Sequence, residues 1–252
     1  MLISATEIIK KSWQLYTDHW RDLSVYMLLL FLPSLALLII GVITVYLTMY
    51  LPASALISDI LTLIIMFASL LFGLWTSVAL MQAVKSLLRD SQKLSWKESF
   101  GKTWPLLWPV IFTSILTTLV VVGGLLLLII PGIIFMVWYL FSVQEVLFDG
   151  QRGIGAMRGS KRLVTGRWWS IAWRAAAPTI LFVAVSLAIQ QILILPFFYL
   201  NSAINLQLAQ NIISSLINAA LTPLTTAAAV ILYFSAKETP VPSLPSSPPV
   251  ET

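Results

Sequence analysis

The sequence predicts an all-α polytopic membrane protein with six transmembrane helices arranged as three hairpins. Hydrophobic residues make up 59% of the chain and charged residues 10%, whereas an ordinary soluble domain has about 25% charged residues. All fifteen Lys and Arg residues lie in four places, namely 10–21, 85–102, 152–174 and Lys237. Positive charge is retained on the cytoplasmic side of a membrane. The expected location is therefore an inner or plasma membrane, with both termini cytoplasmic.

Three long apolar stretches separate the basic segments, and each is long enough for two spans. A helix needs about 20 residues to cross a hydrocarbon core of about 30 Å, and continuous apolar runs exclude the alternating pattern of a barrel strand. The predicted spans are 24–50, 58–84, 106–129, 131–148, 174–198 and 211–235. They form one domain over residues 1–236, followed by a Pro/Ser-rich tail at 237–252 that we expect to be disordered and cytoplasmic.

Each hairpin is preceded by a predicted amphipathic helix at the cytoplasmic interface. Residues 4–20 form the first of these entry helices, because large apolar side chains recur there at helical spacing. The apolar stripes of the three entry helices are Ile9, Trp13, Tyr16 and Trp20; Trp96, Phe100, Trp104 and Leu107; and Ile154, Met157 and Val164. Eight of the ten tryptophans lie in or beside these segments, as in an aromatic belt that sets the depth of a protein in the bilayer.

The first and third entry helices share residues at a constant spacing. Segment 12–20 aligns without gaps on segment 160–168, with Ser, Leu, Thr and Trp in common. This match, together with a more divergent middle copy around Lys102, predicts three related units of entry helix plus hairpin. Internal repeats of this kind occur in transporters and in membrane scaffolds alike.

A segment of about forty residues resembles a known family. The residues that carry the resemblance are Ile130, Pro131, Gly132, Ile133, Phe141, Ser142, Glu145, Gly150, Ala156, Ser160, Leu163, Gly166, Trp168 and Trp169. They are similar to the signature of bacterial six-helix membrane proteins related to the glycerophosphoryl diester phosphodiesterase membrane domain. No phosphodiesterase domain is present in this sequence, so the resemblance implies the fold and the membrane location rather than that activity.

Glycines and prolines of this segment predict two turns. Pro131 and Gly132 are expected to form a tight outer turn between the third and fourth spans. Gly150, Gly153 and Gly155 are expected to turn the chain onto the interface before the third entry helix. Of the charges within the apolar stretches, we expect Asp59 to cap the second span.

The sequence shows no pattern typical of enzymes. It contains no cysteine and a single histidine, His19, and neither a phosphate-binding glycine loop nor a paired His and carboxylate motif appears. We therefore predict a protein that is not an enzyme, without catalytic residues, metal or cofactor. Nucleic-acid binding is not expected either, because the topology already explains the basic excess.

The densest basic segment is the first candidate site. Its cations are Arg152, Arg158, Lys161, Arg162 and Arg167. Anionic headgroups attract such clusters by about 1 kcal/mol per basic residue. Two interpretations remain open, a topology signal that binds lipid nonspecifically and a selective site for a lipid phosphate or a protein partner.

The second candidate is a set of intramembrane polar side chains, namely Gln190, Gln191 and Asn218. A hydrogen bond between Gln190 and Asn218 is geometrically possible in a hairpin, and it would join the two helices. The alternative is a pathway for a solute.

Taken together, the residues favour a membrane-organising or accessory component that engages anionic lipid, a protein partner or a second copy. The alternative is a small-molecule or lipid transporter with a cavity between the hairpins.

Overall fold

The computed structural model describes residues 2–51, 55–90, 95–199 and 203–239, and within these ranges it contains helices and turns without a β-strand. Six helical segments of this part are long and apolar enough to cross a membrane, which confirms an all-helical multi-pass membrane protein. The helices are α1 (Ala5–Asp18), α2 (Trp20–Tyr50), α3 (Ala55–Lys85), α4 (Trp96–Thr103), α5 (Leu107–Leu127), α6 (Ile129–Trp138), α7 (Ser142–Asp149), α8 (Ile154–Val164), α9 (Trp168–Ile194) and α10 (Ala203–Glu238).

Three short segments of other helical types extend these elements. A π-helical turn at Ser86–Asp90 follows α3, and 3-10 turns lie at Trp104–Leu106 and Leu195–Tyr199. Helix α10 continues to Glu238, so it enters the segment predicted as tail. Most of that tail, residues 240–252, lies outside the described residues.

Helix α10 is the central element of the molecule. It contacts α1, α2, α3, α8 and α9, and over half of its apolar window is buried, against 6% for α2 and for α3. Its buried residues in the half nearer the C-terminus include Leu224, Ala227, Val230, Leu232, Tyr233 and Ala236. Helix α2 also packs along α3, and α5 along α6. The core therefore forms around the basic end of α10.

The turn between the third and fourth spans differs from the prediction. The chain reverses at Leu128, which is extended (φ −160°, ψ 144°), and Pro131 is the third residue of α6. Gly132 instead allows α5 and α6 to approach each other closely, because a Cβ atom there would lie 2.8 Å from the Cα of Leu125. The prediction that Pro131 and Gly132 form the turn was therefore wrong, and the requirement for glycine comes from packing.

The predicted fourth span, 131–148, is interrupted in the structure. Helix α6 ends at Trp138 and α7 begins at Ser142, with turn residues between them. None of the three residues in the break, Tyr139 to Phe141, is Pro or Gly, so the sequence gives no local signal for an interruption. The interruption lies where α6 and α7 contact Ser160 of α8.

Two further predictions differ at the level of single residues. The buried stripe of α1 consists of Ile8, Ser12 and Leu15, whereas Trp13 is exposed. This face packs on α10 and α9. Asp59 is the fifth residue of α3 and is exposed, so it does not occupy the cap position predicted for it.

Candidate functional site at the basic end of the helices

Helix α8 carries most of the predicted basic site. Gly150 and Gly153 have φ values of +68° and +51°, a backbone conformation that favours glycine, and they turn the chain from α7 into α8 as predicted. Gly155, predicted to belong to this turn, is instead the second residue of α8. One face of α8 is buried through Ala156, Met157, Gly159, Ser160 and Val164. The opposite face exposes Arg158, Lys161 and Arg162. The basic residues are thus presented by a helix whose other side is fixed in the core.

Ser160 anchors α8 at the break in the fourth span. The hydroxyl of Ser160 donates to the carbonyl oxygen of Trp138 at 2.7 Å and accepts the backbone N–H of Phe141 at 3.0 Å. An interrupted helix leaves such backbone groups without partners, and each would be costly in a nonpolar environment. Because one buried hydroxyl satisfies both groups, the interruption and the position of α8 depend on each other.

A buried carboxylate lies directly beneath α8. Glu145 is almost fully buried, and a Cβ atom on Gly159 would lie 2.4 Å from its Oε2. The hydroxyl of Tyr233 donates to Asp149 Oδ2 at 2.7 Å and lies 3.3 Å from Glu145 Oε1. Asp149 is also paired with Lys237. This polar cluster connects α7, α8 and α10 and supports the basic surface from below.

The exposed side of α8 lines an open groove of about 770 Å³. Its lining residues are Gln151, Gly155, Arg158, Lys161, Arg162 and Thr165. The Nζ atom of Lys161 lies 4.1 Å from the centre of the Trp138 ring, in the geometry of a cation–π contact. None of the lining residues is acidic, so the groove presents three cations and hydrogen-bonding groups to an anion. We refer to it as the α8 groove.

Two of the five predicted cations do not line this groove. Arg152 is exposed in the turn before α8. Arg167 is only 8% exposed, and its guanidinium donates to the carbonyl oxygens of Leu163 at 2.7 Å and Thr239 at 2.8 Å, and to that of Ala236. Burial lowers the pKa of this guanidinium. Arg167 therefore caps the C-terminal ends of α8 and α10 with three of its donors and does not line the groove.

The intramembrane polar residues lie together, but not as a bonded pair. Gln190 and Asn218 line one groove of about 430 Å³ between α9 and α10, and Gln190 and Gln191 line a neighbouring one of about 240 Å³. The amide of Gln190 donates to Ser186 on its own helix at 3.0 Å. No hydrogen bond joins Gln190 to Asn218 in the described part of the chain, so the bond that the sequence allowed is not formed between these two side chains.

Sequence reasoning did not identify Ser160, Gly159 and Tyr233 as parts of this site. Ser160 belongs to the signature segment, and its alignment with Ser12, which is also fully buried, was the available signal. Tyr233 had no signal, because an aromatic residue near the end of a span is common. Among the described residues, no group of three His, Cys, Asp or Glu side chains is arranged to hold a metal ion.

These features define a multi-pass membrane protein with a basic groove on a helix fixed to an interrupted span. Residues 104–236 match the family described as a domain of unknown function, DUF7847, and the chain belongs to this family. The matched part includes the interrupted span, α8 and the buried half of α10. No curated protein and no solved structure matches the chain.

Proposed function

We propose that this protein is a non-enzymatic, membrane-organising or accessory component that engages anionic lipid headgroups or a protein partner through the α8 groove. The observation that carries the proposal is the acid-free lining of this groove, with Arg158, Lys161 and Arg162 on one rigid helix face. Guanidinium and ammonium groups are the usual ligands of phosphate. A lipid phosphate is the anion that a membrane supplies at this level.

The other groove at the basic end suits an anion less well. It is lined by Glu7, Lys11, Arg89 and Glu238 among others. Lys11 is paired with Glu7 at 3.0 Å, and Arg89 is paired with Glu238. Because these cations already have carboxylate partners, the α8 groove is the better candidate for a phosphate.

In this proposal the protein lies in the inner or plasma membrane, and its basic end faces the cytoplasm. The positive-inside distribution supports this orientation, with both termini cytoplasmic and three helical hairpins entered by amphipathic helices. The similarity of the segment around Ser160 to bacterial proteins related to the glycerophosphoryl diester phosphodiesterase membrane domain supports the same membrane location.

The test is neutralisation of the α8 groove. Purified R158Q/K161Q/R162Q protein is titrated with nanodiscs or vesicles of zwitterionic lipid that contain increasing fractions of phosphatidylglycerol, and retained lipid is counted by native mass spectrometry. We expect the variant to lose about 3 kcal/mol of preference for anionic lipid. K10Q/K97Q/K102Q removes the same charge from exposed positions elsewhere. Equal losses in the two variants would contradict a specific site.

One observation favours a second candidate function, transport of a small polar molecule or lipid. The groove between α9 and α10 contains Ser186, Gln190, Asn218, Thr222 and Thr225, and polar groups inside spans often mark solute pathways. Uptake in proteoliposomes that depends on Gln190 and Asn218 but not on the α8 groove would favour this function over the accessory role.

A further inference from the structure

The α9–α10 hairpin exposes amide side chains on a surface that faces the membrane. Gln191, Gln210 and Asn218 are exposed, and their side-chain amides make no hydrogen bond within the described residues. Gln190 is half-buried and lines both neighbouring grooves. We call this surface, from Phe182 to Gln191 on α9 and from Gln210 to Thr225 on α10, the amide seam.

The deep end of the amide seam lies well inside the hydrocarbon core. At 1.5 Å per residue, Ser186 is about 20 Å along α9 from Trp173, and Thr225 is about 18 Å along α10 from Lys237. Trp173 is exposed near the start of α9, where an interfacial indole is expected. Ser186, Thr222 and Thr225 bond within their own helices. Since the core is about 30 Å thick, lipid chains alone would still leave the Asn218 amide and the amide oxygen of Gln190 without partners among the described residues.

The groove is open on its membrane side, and this decides what can fill it. Val183 and Leu187 line it and are 49% and 53% exposed. A polar solute in the groove would therefore contact lipid directly unless a further wall closed it. A second helical surface with its own amides closes the groove and supplies the missing hydrogen-bond partners at once.

A second copy of this chain meets these requirements. An amide side chain carries both donors and acceptors, so an amide surface is complementary to itself. In an isologous dimer the same patch meets on both subunits, and a two-fold axis along the membrane normal brings each residue against groups at its own depth. No Asp, Glu, Lys or Arg occurs between residues 175 and 236, so like charges do not oppose the contact.

We propose that the protein forms a homodimer in the membrane through the amide seam, with Gln190 and Asn218 of each copy bonded across the interface. The contact resembles other membrane helix interfaces, in which small and polar residues allow close packing and amides bond between helices. The amide seam lies on different helices from the α8 groove. A failure of anionic lipid binding would therefore not contradict the dimer, and the converse also holds.

Single-cysteine cross-linking in native membranes tests the proposal directly, because the chain contains no cysteine. Val183→Cys and Leu187→Cys place a thiol on the seam. Ile64→Cys places one at a similarly exposed position, 60% exposed, on α3. Under mild oxidation we expect a disulfide-linked dimer from the seam variants and only background from Ile64→Cys. Equal cross-linking at all three positions, or none at the seam, would overturn the proposal.

A second measurement addresses the amides themselves. Native mass spectrometry of gently extracted protein should give the mass of two copies, and Gln190→Leu with Asn218→Leu should weaken dimerisation by at least about tenfold. The control, Thr44→Val with Thr62→Val, removes polar groups that face each other between α2 and α3 and should leave the dimer unchanged.

Two other results would overturn the proposal. A monomer that retains a polar solute, lost in the Gln190 and Asn218 variant, would indicate a solute site instead. A different protein linked through Leu187→Cys would overturn it in favour of a heteromeric contact.

Discussion

The packed helix pairs α2–α3 and α9–α10 both have the length and hydropathy of membrane spans, but they differ in where their polar side chains lie. In the first, Thr44 and Thr62 face each other with 3.4 Å between their hydroxyl oxygens. Its outer surface is rich in exposed large apolar side chains between Ile39 and Leu51 and between Leu56 and Leu71. In the second, amides point outward. The first pair is therefore suited to lipid on its outer side, and the second to a protein surface.

The two helix pairs also differ in how much of their surface is buried by the rest of the chain. Helix α10 packs against α1, α2, α3, α8 and α9, and its polar cluster with Glu145 and Asp149 of α7 supports α8. Helices α2 and α3 are buried in only 6% of their apolar windows. Substitutions in or against α10 should therefore affect stability differently from substitutions in α2 and α3, and three comparisons test this.

The largest difference is expected between Tyr233→Ala and Tyr46→Ala. Tyr233 is fully buried, with ring centres 5.6 Å from those of Phe141 and Phe148, and its hydroxyl reaches Asp149 and Glu145. We expect Tyr233→Ala to lower the free energy of unfolding in detergent by about 3–5 kcal/mol. Tyr46 is 62% exposed, and its loss should cost less than about 0.5 kcal/mol. Similar costs for the two variants would show that α10 is not the central helix.

A smaller difference is expected between two glycine variants. In Gly159→Ala the new methyl group meets the carboxylate of Glu145, whose Oε2 would be 2.4 Å away, and we expect a cost of about 1–3 kcal/mol. In Gly73→Ala no atom beyond the neighbouring residues and local backbone of α3 lies within 4 Å of the new group, so the better helix propensity of alanine should stabilise α3 by up to about 1 kcal/mol.

Thermal unfolding of both glycine variants in one detergent checks the sign as well as the size of the effect. A neutral Gly159→Ala would mean that Glu145 moves aside freely, and the buried cluster would then not fix α8 in place.

The sequence correctly predicts six long apolar helical segments, and the reason is physical. Inside lipid every backbone group needs an internal partner, so a long apolar run has few alternatives to a helix. The glycines at 150 and 153 were also predictable, since both adopt positive φ in the turn before α8. Such features depend on residues close together in the chain.

The features that sequence reasoning missed depend on residues far apart in the chain. The break after Trp138 has no local breaker and is stabilised by Ser160, whose hydroxyl bonds Phe141 nineteen positions away. The sequence suggested that Arg167 binds lipid. In the structure its guanidinium instead caps α10 by donating to the carbonyl oxygens of Thr239 and Ala236. In each case the side chain was conspicuous in the sequence, but its partner was supplied only by tertiary packing.

The smallest expected difference is between the Thr44–Thr62 contact, which lies between α2 and α3, and the exposed amide of Asn218. Thr62 donates its hydroxyl proton to the carbonyl oxygen of Ser58 at 2.8 Å, so Thr44 is the donor in the contact between α2 and α3. A double-mutant cycle of Thr44→Val and Thr62→Val, measured by unfolding in detergent, should give a coupling of about 0.6 kcal/mol.

Asn218→Leu, measured on the monomer in the same detergent, should leave the free energy of unfolding unchanged, because the Asn218 amide has no partner within the described chain. Its effect should appear only in dimerisation, where the amide is expected to meet a second copy. A loss of monomer stability as large as the Thr44–Thr62 coupling would mean that Asn218 bonds within its own chain. Asn218 would then not be an outward-facing group that differs from Thr44 and Thr62. The proposed dimer would lose one of the two amides that are expected to join its copies.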